Sequence, residues 1–144
     1  MLILLGMLTG HVILAGIVPS PWWVPDLTLI GLVVTISQVP QQWLRLSVIT
    51  GLFATSFAIR CSGPLLVSYL GLGWMVQRLA RRWDVTDLRV QVLVVSVGNV
   101  LITLGLLWLD ELWSIPLLGL VAVRVMLTGL AVLCVRPLMR VKVG

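Results

Sequence analysis

Six stretches of the chain, 2–18, 24–39, 44–59, 65–77, 90–109 and 115–135, run almost without charge, and short segments rich in proline or charged residues divide them. Proline marks most of the breaks: Pro19, Pro21 and Pro25 between the first two runs, Pro40 before the third, Pro64 before the fourth, and Pro116 opening the sixth. Hydrophobic residues make up 60% of the chain and charged residues 10%, where ordinary soluble domains carry roughly 45–50% and about 25%. Mean hydropathy is +1.14. A helix that crosses a bilayer takes about 20 apolar residues, so 144 residues hold six spans only if the spans are short and the connections tight. The fold predicted is an all-α integral membrane protein: one transmembrane domain over 1–144, a six-helix bundle with short loops and no folded aqueous part.

The basic residues suggest its orientation. Six spans place both termini on one face with Arg45, Arg78, Arg81, Arg82, Arg89, Arg136, Arg140 and Lys142, and leave Arg60, Asp26, Asp110 and Glu111 on the other. Positively charged loops stay in the cytoplasm, so both termini are expected there. A five-span alternative divides the basic loop from the basic tail. Met1 runs straight into Leu2-Ile3-Leu4-Leu5 without a basic stretch, so the first run reads as a span rather than a cleaved signal. The run at 65–77 is short unless it extends through Arg78 to Arg82 as a basic continuation into the interface. Trp22, Trp23, Trp43, Trp83, Trp108 and Trp113 all fall at expected helix ends, where an indole suits the headgroup region; Trp74 alone lies within a span.

Net charge is +5, but the basic residues are not interleaved with stacking aromatics on a soluble scaffold, which argues against nucleic acid as a partner. Cys61 and Cys134 fall on opposite faces of the expected topology, too far apart for a disulfide. Catalysis has little to draw on: one histidine, no nucleophile elbow, no phosphate loop, no metal-spaced His/Cys set. No enzyme activity, metal or cofactor is expected.

A few residues call for explanation. Arg124 falls near the middle of the last span, where a cation costs about 2.5–3.5 kcal/mol on insertion scales. All five acids are expected at membrane faces, so its compensation is sought in Asn99 or free carbonyls within the bundle, or in an acid or anionic ligand from outside. His11, between Gly10 and Gly16, reads either as a satisfied interhelical hydrogen-bonder or as a ligand or proton group. Gly6-x-x-x-Gly10, and Ser47-x-x-x-Gly51-x-x-x-Thr55, are small-residue stripes that suit close helix packing or docking of a partner. Asp26 after Pro25 suits a helix start. Trp22 and Trp23 in the same loop suit the interface or a partner. Arg78, Arg81 and Arg82 form a cytoplasmic basic group that suits topology, anionic lipid, or a cytoplasmic partner.

Trp23-Val24-Pro25-Asp26-Leu27-Thr28-Leu29, Gly51-Leu52, Gly63-Pro64-Leu65 and the closing Val135-Arg136-Pro137-Leu138-Met139-Arg140 together resemble the rod shape-determining protein MreD family. The pattern covers most of the chain through short hydrophobic motifs. The family usually carries an acid toward the end of span three, where this chain reads Ala54-Thr55-Ser56-Phe57-Ala58-Ile59-Arg60, so a role that needs that acid is not carried over. The resemblance implies a non-catalytic membrane scaffold of bacterial cell elongation, binding the membrane-anchored protein MreC and linking cytoplasmic MreB filaments to peptidoglycan synthases. A second family with six helices and tight loops is the substrate-binding subunit of energy-coupling-factor vitamin transporters. It would need an enclosed polar cavity near the outer face, for which Asn99, Tyr69, Thr103 and Arg124 are the few candidates. An ion or proton carrier built on His11 and Arg124 lacks an acid within the membrane for a relay.

Overall fold

The computed structural model describes residues 2–19, 24–56, 62–109 and 115–140. Among them the chain is all-helical: α1 (Leu2–Ile17), α2 (Leu27–Gln38), α3 (Trp43–Ser56), α4 (Ser62–Ala80), α5 (Leu88–Leu109) and α6 (Ile115–Arg140), with a single 3-10 turn at Pro40–Gln42. By length and composition two of these helices can cross a membrane, α5 and the Pro116–Val135 part of α6. α1 and α2 are apolar but shorter, with 16 and 12 residues.

The breaks follow proline chemistry, with departures from the expected spans at α2, which begins at Leu27 rather than 24, and at α4 and α6. Val39 ends α2 with an extended φ of −135°, as a residue before proline must, and Pro40 then starts the 3-10 turn that leads into α3. The expected start of span four at 65 is overtaken: α4 begins at Ser62 and carries Pro64 in its first turn, where no carbonyl one turn back is lost. It also runs past the expected end at 77 to Ala80 and takes in Arg78, but stops short of the extension through Arg82, since Arg81 and Arg82 lie in the turn beyond it. α6 likewise passes the expected end at 135 and includes Pro137.

α2 is the central element. Every residue from Leu27 to Ser37 is buried, and the helix touches α1, α3, α4, α5 and α6. A helix apolar on all sides finds its partners only when surrounded. Its hydroxyls cost nothing in that setting, because Thr35 and Ser37 donate to the carbonyls of Gly31 and Val33 one turn earlier at 2.6 and 2.7 Å. Gly31 lets α1 close on it: a Cβ there would stand 2.9 Å from Met7 Cβ.

The outer helices face a different environment. Leu5, Ile13 and Ile17 of α1, Leu93 and Leu101 of α5, and Met126, Leu130 and Leu133 of α6 are all exposed. Large apolar side chains exposed along several helices are natural against lipid or a partner.

The small-residue stripes divide. Ser47 and Gly51 are buried at the α3–α4 contact, where a Cβ on Gly51 would lie 2.6 Å from Leu66 Cδ1 and one on Gly73 would collide with the Ser47 hydroxyl. That stripe is used within the bundle. On α1, Gly10 faces Leu27 at 3.5 Å, while Gly6 has nothing within 4 Å of an added Cβ. Gly6 therefore opens away from the bundle.

Candidate functional site

Asp26 is the N-cap of α2: its Oδ1 accepts the Leu29 amide at 3.1 Å, as the helix start requires, and also the Thr28 hydroxyl. The Thr28 hydroxyl lies 2.7 Å from the Tyr69 hydroxyl of α4. Since Thr28 spends its proton on Asp26, Tyr69 donates to Thr28. The second carboxylate oxygen, Oδ2, lies 3.9 Å from Nη2 of Arg124 on α6. The backbone amide of Asp26 donates to Thr128 Oγ1 at 3.1 Å, and Asn99 Nδ2 of α5 donates to the same oxygen at 2.8 Å. Thr128 in turn donates to the Arg124 carbonyl at 2.8 Å, and Asn99 Oδ1 accepts from Thr103 at 3.0 Å. One connected polar cluster thus joins α2, α4, α5 and α6.

The depth of this cluster corrects the reading of Asp26 and Arg124. Asp26 was expected in a loop at a membrane face, with no acid of the chain at the level of Arg124. Thr128 stands thirteen residues past the start of α6, about 20 Å at about 1.5 Å per residue, and Asn99 stands about 15 Å from the end of α5. Both positions are deep within the α5–α6 hairpin, and Asp26 is bonded there. The cause is the length of α2. Twelve residues rise only about 18 Å, so a helix that stays central begins inside the bundle rather than at its rim. Arg124 is compensated by Asp26, within the chain, and Asn99 serves Thr128 and Thr103 rather than Arg124.

Above this cluster lies a cavity of about 170 Å³. His11, Asp26, Thr28, Tyr69 and Arg124 supply its polar wall. Phe53, Leu65 and Leu106, close to the ends of α3, α4 and α5 that meet there, supply apolar wall. Two buried polar atoms of residues that line this space, His11 Nδ1 and Arg124 Nε, make no hydrogen bond. A polar cavity of this volume accommodates water, which needs only about 10–15 Å³ of probe-occupied space and two or more polar partners.

His11, Asp26 and Arg124 are therefore brought together around one space, and Asn99 is tied to Asp26 and Arg124 through Thr128, two hydrogen bonds away. Gly6 and Gly10 do not take part, apart from the Gly10 contact with Leu27. Trp22 and Trp23 lie outside the described residues. Arg78, Arg81 and Arg82 gather elsewhere, with Trp74 and Gln77, around a second cleft at the end of α4. Sequence reasoning missed Thr28 and Thr128, the two hydroxyls that hold the cluster together. Their signal is the spacing Asp26-x-Thr28 beside a helix start, and Arg124-x-x-x-Thr128, which puts arginine and threonine on one helix face.

Among the described residues no group of three or more His, Cys, Asp or Glu could hold a metal ion. Comparison with protein-family models, curated proteins and solved structures returns no match.

Proposed function

We propose that this chain is a non-catalytic membrane scaffold of the kind that the resemblance to the MreD family implies. It sits as a six-span bundle in the bacterial inner membrane with both termini in the cytoplasm. There it binds an MreC-like membrane protein and helps link the elongation cytoskeleton to the peptidoglycan synthases. The observation that carries this reading is how the bundle spends its polar residues: Asp26, Thr128, Asn99, Thr103, Thr28 and Tyr69 are hydrogen-bonded in one cluster inside, and the Arg124 guanidinium stands 3.9 Å from the Asp26 carboxylate. What remains outside on α1, α5 and α6 is apolar helix surface, and a protein of this build acts through such surfaces and its short loops. The buried, short α2 is compatible with a membrane setting, because a helix that starts at mid-depth is tolerated where protein or a cavity surrounds its free end.

The second reading, a vitamin-binding transporter subunit, draws support from His11 Nδ1 and Arg124 Nε, unpaired beside the same cavity. Size weighs against it. At about 170 Å³ the cavity is well below the roughly 300–1,000 Å³ of small-molecule pockets. Extraction of the C-terminally tagged protein from its native membrane in mild detergent, with mass spectrometry of what accompanies it, separates the two. Recovery of MreC-like proteins or peptidoglycan synthases is the expected result. Recovery of ATPase and coupling subunits, or of a bound vitamin, would overturn the scaffold reading.

A further inference from the structure

The cleft at the end of α4 is unlike any other part of the molecule described here. Its volume is about 330 Å³, and its wall is Trp74, Gln77, Arg78, Arg81 and Arg82, with no carboxylate among them. Arg78 stands one helical turn after Trp74 in α4, and the turn that follows Ala80 brings Arg81 and Arg82 to the same cleft. Arg78 lies over the Trp74 ring with its guanidinium carbon 5.2 Å from the centroid. That stacking explains why Trp74 sits inside the helix when Trp43, Trp83 and Trp108 lie at or beside helix ends. The indole, half exposed, is the apolar floor beneath the arginine.

A single cation would answer the negative end of the α4 dipole. Three around an open cleft repel one another until an anion enters. We infer that this cleft binds the phosphate-bearing headgroup of an anionic phospholipid, with Arg78, Arg81 and Arg82 around the phosphate and Trp74 against the glycerol and upper acyl region. The assignment rests on the membrane reading above, which puts the end of α4 at the cytoplasmic interface. Two observations favour lipid over an acidic protein segment: the floor is an indole, and planar guanidinium groups match phosphate oxygens in pairs.

The test uses the full chain reconstituted into phosphatidylcholine bilayers that contain a minor fraction of brominated lipid, either phosphatidylglycerol or phosphatidylcholine. Bromine quenches nearby indoles, and the signal from Trp74 is the part lost in a Trp74→Phe protein. Brominated phosphatidylglycerol should quench Trp74 preferentially, with a preference of roughly fivefold for each arginine engaged. The Arg78→Gln, Arg81→Gln, Arg82→Gln triple variant should lose that preference, whereas lysine at all three positions should keep part of it. Single Arg81→Gln and Arg82→Gln proteins should each lose a share, which gives the answer should the triple variant not fold. Equal quenching by the two lipids overturns the inference, as does a preference that survives the glutamine substitutions. Protection of Trp74 by an acidic peptide but not by phosphatidylglycerol would assign the cleft to a protein segment instead. Failure of the chain to enter bilayers at all would refute the membrane reading itself, and loss of partner proteins leaves this measurement unaffected.

Discussion

Arg124 on α6 and Asp26 at the start of α2 face each other across the bundle at 3.9 Å, Nη2 to Oδ2, with the carboxylate buried and the arginine side chain 24% exposed. The pair fixes where α2 begins relative to α6, because the backbone amide of Asp26 is held by Thr128, one turn along from Arg124. Charge pairing, helix capping and helix register therefore meet at one residue.

Removing only the cation should expose the cost of that arrangement. Arg124→Leu leaves the Asp26 carboxylate buried without its counter-charge. The expected loss is about 1–3 kcal/mol, less than the roughly 3–5 kcal/mol for breaking a fully buried pair because the guanidinium retains some solvent. Adding Asp26→Asn should restore part of the stability, since asparagine still caps α2 and carries no charge. Chemical unfolding in mild detergent measures both. A double variant no more stable than Arg124→Leu alone would show that the carboxylate is not the source of the loss.

Thr128→Val should destabilise the bundle by about 1–2 kcal/mol. Its oxygen accepts from the Asp26 amide and from Asn99, and interhelical hydrogen bonds within membranes average about 0.6 kcal/mol, with single bonds reaching about 1.7. Hydrogen exchange at the first turn of α2 should rise in the same variant. Unchanged exchange there would mean that Thr128 does not anchor α2.

The two small-residue stripes should respond in opposite ways. Gly73→Ala places a methyl group on the Ser47 hydroxyl and should cost about 1–3 kcal/mol, relieved when Ser47→Gly is added. Gly6→Ala meets nothing within 4 Å and should be neutral, or stabilising by up to about 1 kcal/mol through helix propensity. Melting temperatures in detergent discriminate these outcomes, and a destabilising Gly6→Ala would show that Gly6 is packed.

Much of the helical layout was legible because apolar run length and proline are local signals: four of the five breaks between these helices have proline at or beside them, Pro19 and Pro25 at the first, then Pro40, Pro64 and Pro116. Run length misled at α2. The expected 24–39 span presumes that an apolar run is helical from its first residue, but Pro25 and the capping side chain of Asp26 delay the helix to Leu27. That delay draws an acid to the depth of Arg124, a juxtaposition that no local spacing encodes. His11 and Arg124 were legible as oddities, polar groups in apolar runs, yet their shared cavity depends on the relative heights of α1 and α6. Thr28 and Thr128 were hidden because a threonine in an apolar helix ordinarily bonds to its own backbone, as Thr35 does.

The central claim is that the bundle neutralises its own buried charge and binds partners through its surface. It is tested most directly by repeating the native-membrane purification with the Asp26→Asn, Arg124→Gln double variant, which removes both charges and leaves the outer helix faces intact. The account predicts that a folded double variant recovers the same partner proteins in the same yield as the unaltered chain. Loss of those partners from a protein that still folds would place the true counterpart of Arg124 or Asp26 on another chain and contradict the account.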